Sequence, residues 1–480
     1  MGSGIFALGT GAMNASRAML DTTAHNISNV NTPGYSRQRV ELATEDGLYT
    51  GAGFFGRGVR LTTVSRATNE VLTKEANNNT AASSADATRL NKLEQLEKTL
   101  PLGEAGLGYS ATQFLNAFVD VSNQPLDMSA RQGVLAKAQE WVSRVHTADE
   151  QLTQLQSGVV ADLTLNVKQV NSLSRNIAEI NQSIAAFKGS GHTPNDLLDR
   201  RDKMVNDLNK LVQVKTVEAD DGSLSVFLGG GQLLVLSNTA QTLSVVRDPS
   251  NNALGRVALQ TPNASNPSVP NNRILDSSQL TGGAIQGLLQ FQDVDLASTR
   301  QDLEAFVTTF ANRVNQQHQA GLDATGTAGL AIFAPRDSTL PMASGNISVN
   351  SALAPANIAA AAPPTPPATF GPSDNTNARD MLALRDQAIV TLSNLPPSTV
   401  TDTYSQMIGN LGVLVQNGRT SAGISSTLEN NSQQMLSGET GVNLDEEASR
   451  LIQFQQSYQA AAKVLQVAQT VFDTLLNLSR

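Results

Sequence analysis

Apolar residues recur every seventh position at both ends of this chain, a spacing kept by helices that pack along other helices. At the N-terminus Phe6, Met13, Leu20 and Ile27 form one column, with Ile5, Ala12 and Met19 beside it. At the C-terminus Leu444, Leu451, Tyr458, Leu465 and Phe472 form a strict column. Phe454, Ala461, Ala468 and Leu475 run three residues on, and Val464, Val471 and Leu478 add a third column. The last helix is thus apolar over more than half its circumference, more than a helix covered on one side needs. Within one chain these columns have few partners except each other. The ends are therefore expected to pair as a coiled-coil-like inner domain, residues 1–50 with 440–480. Burying each further Leu or Phe is worth about 1.5–3 kcal/mol, so a column of that length favours assembly with neighbours. Such ends are expected to be mobile in the free monomer and to order on packing.

The C-terminal helix has a legible start. Asn443 is placed to cap it, Glu446 stands in capping-box position, and Asp445 and Glu447 suit the positive end of the helix dipole. These three consecutive acids point in different directions, which disfavours a metal or acid–base cluster.

The interior predicts further helices with β structure among them. A helix is expected from about Leu135 to Phe187, roughly 80 Å if unbroken, with Gly158 as the place for a kink. The turn Gly189-Ser190-Gly191-His192-Thr193-Pro194 puts Thr193 as cap and Pro194 at the first position of another helix running to about Val212. The short connection makes the two antiparallel. From Val214 to about Asp276 short runs such as Ser225-Val226-Phe227-Leu228 and Leu233-Leu234-Val235-Leu236 flank Asp221-Gly222 and Gly229-Gly230-Gly231, the pattern of hairpins. Helix returns from about Gln279 to Gln319 and again from about Asp402 to Leu436. Between them, Asp323 to Asn377 is poor in charge and carries Pro363, Pro364, Pro366 and Pro367, which predicts an exposed, irregular insertion.

The fold class expected is mainly α with a β-rich part: an elongated, multi-domain molecule whose terminal helices pair in the inner domain. A helical-bundle middle domain would comprise residues 51–213 with 279–322 and 378–439. A β-rich outer portion would comprise residues 214–278, and a distal insertion residues 323–377.

Composition removes several functions. The 480 residues include no Cys, so disulfides, thiolate metal sites and cysteine nucleophiles are excluded. A net charge of −9 without any basic run argues against nucleic acid as a partner. No apolar stretch of about 18 residues is present to span a membrane. The first positive charge is Arg17, so a cleaved secretory signal is not expected.

The most informative run is Asn26-Ile27-Ser28-Asn29-Val30-Asn31-Thr32-Pro33-Gly34-Tyr35-Ser36-Arg37-Gln38. Asn and Ser compete with helical hydrogen bonds, Pro33 forces Thr32 to be extended, and Pro33-Gly34 fits the centre of a type II turn. Beyond it Gln38, Val40 and Leu42, and then Val59, Leu61 and Val64, alternate as extended chain. The run resembles the N-terminal signature of the flagellar rod, hook and hook-associated proteins, where an Asn-rich helix end precedes Thr-Pro-Gly-Tyr-Ser-Arg-Gln. Asn29, Thr32, Pro33, Gly34, Tyr35, Ser36 and Arg37 carry the likeness, and His25 stands where the family often has Asn. The other end agrees: Asn443-Leu444-Asp445-Glu446-Glu447 and Phe472-Asp473-Thr474-Leu475-Leu476-Asn477 look closer to the hook-associated members than to hook or rod proteins.

The resemblance implies a non-enzymatic axial protein of the bacterial flagellum, without cofactors, acting as the junction adaptor between hook and filament. It implies an assembly interface of Phe6, Met13, Leu20, Ile27, Leu444, Leu451, Tyr458, Leu465, Phe472 and Leu475. The implied partners are further copies in a ring, the hook protein, the second hook–filament junction protein, and an export chaperone at the C-terminal helix. The implied location is extracellular, reached through the flagellar type III apparatus. The distal insertion looks shorter than in longer members. Another axial role, as hook subunit or second junction protein, stays open, as does a surface adhesin using the insertion.

Other patterns yield bland readings. Gly51-Ala52-Gly53-Phe54-Phe55-Gly56 has dinucleotide-loop glycines, but strand follows where that loop needs a helix. His25, His146, His192 and His318 lack metal-ligand spacing. Asp220-Asp221-Gly222 lacks the later ligands of a calcium loop, and Met13 and Met19 belong to a helix face. An enzyme with a β-rich insert would need convergent polar groups, and Val214 to Asp276 holds no His and no paired-carboxylate pattern.

Overall fold

A computed structural model describes residues 2–50, 53–187, 192–261, 263, 270–364, 369–392 and 396–478, except the side chains of residues 2, 3, 48, 50, 475, 476 and 478. The readings of Gly51-Ala52, Gly189–Gly191, Pro366 and Pro367, and of the Leu475 and Leu478 side chains, fall outside these. The chain opens with α1 (Gly2–Ser28), then β1 (Gln38–Thr44), the small hairpin β2 (Leu48–Thr50) and β3 (Gly53–Phe55), and β4 (Val59–Arg66), which pairs antiparallel with β1. Helices α2 (Glu70–Thr99), α3 (Leu107–Asn116), α4 (Phe118–Asn123), α5 (Met128–Phe187) and α6 (Asn195–Leu211) follow.

Two antiparallel sheets come next. β5 (Val214–Glu218), β6 (Leu224–Leu228), β7 (Leu233–Leu236) and β8 (Thr239–Ala240) form one in sequential order. β9 (Thr242–Arg247), β10 (Gly255–Thr261) and β11 (Asn271–Ile274) form the other, with β10 central. Then come α7 (Gly283–Gln290), a π-helical turn at Phe291–Leu296, α8 (Ala297–Gln319), the short pair β12 (Phe333–Pro335) and β13 (Ile347–Val349), α9 (Thr376–Ala383), α10 (Val400–Thr440) and α11 (Leu444–Leu478). The molecule is elongated and mostly α, with several sheets. Its backbone is the 60-residue α5, about 90 Å long.

Three antiparallel pairings organise the helices. α1 lies on α11, with Asn26 facing Glu447, Gly9 facing Leu465 and Phe6 facing Phe472. α2 lies on α10, with Thr80 opposite Gln433 and Glu94 opposite Arg419. α5 folds back on α6 as the short connection predicted, Asn181 meeting Arg201. α5 also fixes what lies where. Its N-terminal half carries the 320–361 stretch, through Arg131 to the Ala356 carbonyl and His146 to the Ile347 carbonyl. Its C-terminal half carries the sheets, Asn171 bonding both backbone groups of Leu243 and Asn181 both Leu224 and Ser237.

Several expectations need correction. The stretch read as an exposed insertion contributes to the main core: Ile332, Phe333, Ile347 and Ile358 are at most 1% exposed. Phe333 lies 4.9 Å from the Trp141 ring, and Phe310 lies 4.8 Å from it on the other helix. Its low charge and Pro content suit backbone threaded between helices as well as surface loop. α5 starts seven residues earlier than the sequence suggested, and runs on through Gly158. α6 begins at Asn195, so Pro194 occupies the cap position, and no side chain caps it. α2 is the longest of the helices the sequence did not reveal, with α3, α4 and α9 the others. Its Asn77–Ala85 stretch is small and polar because α7 and α10 approach closely; a Cβ on Gly287 would stand 2.3 Å from the Ala85 carbonyl oxygen.

Candidate functional site

Three segments far apart in sequence meet where α1 ends. Asn29 stops the helix by bonding back to the His25 carbonyl at 3.0 Å and accepting from the Thr32 hydroxyl at 3.2 Å. The chain then reverses through Pro33 and Gly34, with Tyr35 N–H donating to the Thr32 carbonyl at 3.2 Å and Gly34 at φ +84°. This is the type II turn the sequence predicts, and its second central position needs φ above zero. A Cβ on Gly34 would also stand 3.1 Å from Cβ of Lys203 on α6.

The turn returns the chain to Asn26, which is 1% exposed and uses its whole amide. Nδ2 donates to the Gln38 carbonyl at 2.9 Å and to Glu447 Oε2 at 3.0 Å. Oδ1 accepts from the Tyr35 hydroxyl at 2.7 Å and from Gln38 N–H at 2.9 Å. Next to it, Arg37 binds Glu446 at 2.8 Å and its N–H donates to the Thr440 carbonyl at 2.8 Å. The N-terminal motif therefore grips the junction between α10 and α11. Asn443 caps α11 as expected, accepting from Asp445 and Glu446 N–H at 3.0 and 3.3 Å. Glu446, however, turns outward to Arg37 rather than back to the cap, and Glu447 is 1% exposed beneath Asn26. The capping-box reading of Glu446 is corrected accordingly, while all three acids keep their place in the first turn of α11, at the positive end of its dipole.

A second set of bonds ties this clasp to the helical body. Ser36 N–H donates to Asp199 at 3.2 Å, Gln38 to Asp196 at 3.3 Å, and Asn195 to the Val64 carbonyl at 2.8 Å. Arg66 bridges Asp199 at 3.0 Å and Asp202 at 2.5 Å. Burial pushes the Asp199 carboxyl up, against the pull of Ser36 and Arg66. The Tyr35 hydroxyl is raised above its usual range by burial and then by Asp199, Asp196 and Glu447. Burial lowers Arg66, but Asp202 and Asp199 outweigh it and hold its pKa up. With these shifts the tyrosine stays a hydrogen-bond donor and the arginine a cation at neutral pH, as a fixed joint requires.

The columns sit on the α1–α11 pair unevenly. Phe6, Met13, Leu20, Ile27, Leu451, Tyr458 and Leu465 are half-buried between the helices, while Leu444 and Phe472 keep 50 and 46% exposure. Ala15, Ala461 and Ala468 form the buried seam. Gly9 lets α11 approach, since a Cβ there would meet Leu465 Cδ2 at 2.7 Å. A flank of α11 not covered by α1 leaves Val464, Val467 and Val471 46–63% exposed, with Ile5 and Leu8 at 44 and 40% on α1. The pair lies outside the continuous core that runs from Leu93 to Val415.

The remaining sequence candidates take structural places. Gly53 stands at φ +131° in a hairpin with no helix behind it. Asp221 accepts from Ser223 N–H in the β5–β6 turn. His318 is buried, its Nε2 accepting from Ala359 N–H at 2.8 Å and its Nδ1 facing the Leu330 carbonyl; burial lowers its pKa to about 4. Among the described residues no three His, Asp or Glu side chains are grouped to hold a metal ion, and no helix is long and apolar enough to cross a membrane.

Comparison with known proteins agrees with this geometry. Residues 93–333 match the family model of the flagellar hook-associated protein FlgK helical domain. Residues 432–478 match the C-terminal model of the flagellar basal body rod FlgEFG proteins, and residues 7–35 that of the flagella basal body rod protein. Flagellar hook-associated protein 1 of Salmonella typhimurium is 26% identical, over 97% of this chain and 98% of that protein. The alignment runs to 551 positions, so that protein carries segments this chain lacks. Flagellar hook-associated protein 1 of Bacillus subtilis is 29% identical, over 97% of this chain and 96% of that one. The solved structure of the flagellar hook junction protein FlgK from Burkholderia pseudomallei shares the fold, with a TM-score of 0.68 at 21% identity over 75% of this chain and 99% of that one. With its helical domain matched over half the chain and the rod-type motifs closed on each other in the clasp, the chain belongs to the flagellar hook-associated protein 1 family, within the rod–hook–filament axial proteins.

Proposed function

We propose that this structural protein of the flagellar axis is the junction adaptor that joins hook to filament, assembled through its terminal helices. The observation that supports this best is the α1–α11 pair: it stands outside the core, keeps an uncovered apolar flank, and is fixed to the body by the clasp. Side by side, copies would bury Ile5, Leu8, Val464, Val467, Val471 and Phe472, at about 1.5–3 kcal/mol for each side chain fully covered. In this reading residues 1–50 with 440–480 form a coiled-coil-like inner domain, and the columns from Phe6 to Phe472 and on to Leu475 its assembly interface. The middle helical domain, the 214–278 sheets and the 323–377 stretch lie outside it.

The partners in this reading are further copies in a ring, the hook protein below and the second hook–filament junction protein above. Before assembly a chaperone covers the apolar flank of α11 in the cytoplasm. The chain then leaves through the type III apparatus without cleavage, a passage that a cysteine-free sequence meets without disulfide chemistry. Deleting the gene in the source bacterium tests this. Hooks of normal length without filaments, and filament protein shed as monomer into the medium, are expected. Loss of the hooks themselves would assign the chain to the hook instead, and normal filaments would refute an axial role.

A further inference from the structure

The terminal pair is the middle and one edge of a three-layer unit, with the β1–β4 ribbon as the other edge. A Cβ on Gly9 of α1 would meet Leu465 Cδ2 of α11 at 2.7 Å, and one on Gly11 would stand 3.0 Å from the Val59 carbonyl oxygen of β4. Two residues are about 200° apart around a helix. α1 therefore stands between α11 and the ribbon, and the two outer layers cannot reach each other within one molecule.

Both outer layers are apolar where they face solvent. On the ribbon the cross-strand partners Leu42 and Leu61 are 38 and 47% exposed. Beyond them the β2–β3 hairpin holds Tyr49, Phe54 and Phe55 at 67, 79 and 56%, and the Tyr49 and Phe54 rings, register partners, meet at 5.0 Å. On α11 the uncovered flank is Val464, Val467 and Val471. Neither the hairpin, residues 47–56, nor the stretch 464–472 carries a charge.

The two layers also stand at one height along α1. A Cβ on Gly58 would lie 3.3 Å from Leu8 Cδ2, and Glu45 N–H bonds the Gly58 carbonyl at 2.9 Å, so the hairpin leaves the ribbon beside Leu8. Gly9 marks the height of Leu465, and Phe6, its ring 6.2 Å from that of Phe472, marks the far end of the flank. At about 3.4 Å per strand residue and 1.5 Å per helix residue, Asp46 is level with Val467 to within a few ångströms. Copies set side by side at equal height thus bring the ribbon edge of one to the α11 flank of the next. Such a heterologous contact repeats around a ring. Aromatic side chains hide about 150–250 Å2 each when fully buried, so the hairpin supplies on the order of half of the roughly 800 Å2 per partner of an ordinary interface.

We propose that Tyr49, Phe54 and Phe55 of one copy lie on Val464, Val467 and Val471 of the next. The proposal rests on the self-assembly reading above and names the surface that covers the α11 flank. Because the chain is free of cysteine, the double variant D46C/V467C places two exposed thiols in a silent background. Oxidation of isolated flagella carrying it is expected to give a ladder of covalent multimers, and either single variant monomers. Monomers from the double variant while the protein still sediments with flagella overturn the docking alone, as do dimers from a single variant or a cross-link to a different axial protein. Absence of the wild-type chain from flagella overturns the assembly reading and the docking together. As a second arm, F54S/F55S and V467S are each expected to lower incorporation roughly tenfold, and their combination by much less than the product of the two; a combined loss equal to that product contradicts the contact.

Discussion

Replacing Asn26 by alanine tests the clasp at its centre. The side chain is 1% exposed and satisfies four groups: both backbone groups of Gln38, the Tyr35 hydroxyl and the Glu447 carboxylate. Each buried polar group left without a partner costs about 1–3 kcal/mol, and a charged one more. Tyr35 is half-buried and recovers part of its loss through water. The expected cost to the closed clasp is about 3–5 kcal/mol, a rise in its opening of roughly a hundredfold to several thousandfold. Hydrogen exchange at the amides of Arg37, Gln38 and Ala67 reads that opening directly. The core around Trp141 should unfold in urea as before, since no residue of the clasp belongs to its aromatic cluster. Asn26→Asp keeps the shape but sets a carboxylate against Glu447, so it should be worse than alanine at pH 7 and recover as the pH falls and the new carboxyl takes up a proton. Exchange at Gln38 within about twofold of wild type in both variants would refute the reasoning.

Three further outcomes follow from the same geometry. Gly34→Ala should destabilise the clasp by about 1–2 kcal/mol because position 34 holds φ +84°, seen as faster exchange at Tyr35–Gln38. Phe333→Ala should cost about 3–5 kcal/mol and shift Trp141 fluorescence to the red, since the rings lie 4.9 Å apart; an unchanged spectrum would contradict a core role for the 323–377 stretch. His318 takes a proton near pH 6.5 when unfolded and near 4 when folded. Between those values the unfolded chain binds more protons, so stability should fall by about 3 kcal/mol as pH drops from 6.5 towards 4. Urea denaturation of wild type and His318→Gln across that range should show a shallower slope in the variant.

Much of the architecture was legible because the residues that shape it act locally. Pro33 and Gly34 specify their turn, Asn443 its cap, Asp221-Gly222 and Gly229–Gly231 their hairpins, and the seven-residue columns the terminal helices. What stayed hidden depends on contacts across hundreds of residues. The first half of α2 shows no apolar period because its seam is made of Ala76, Thr80, Ala81, Ser83 and Ala85, small enough for α7 and α10 to approach, and only its end carries the buried Leu93 and Leu96. The low charge of the 323–377 stretch was compatible with solvent or with burial, and only its neighbours α5 and α8 decide for burial. In the clasp, the motif residues were visible but their partners were not. Glu446 and Glu447 looked complete as helix-start acids, whereas two motifs at opposite ends of a chain, one with Asn26 and Arg37 and one with this pair of acids, carried the signal that they belong together.

The central claim is that the terminal helices are an assembly surface only half satisfied within one molecule. Hydrogen exchange across residues 444–478 in the dilute monomer and in isolated flagella tests it most directly. The account predicts rapid, concentration-dependent exchange in the monomer, because a helix packed on one partner outside the core opens easily, and strong protection in flagella. Equal, concentration-independent protection of this segment in the monomer would contradict it.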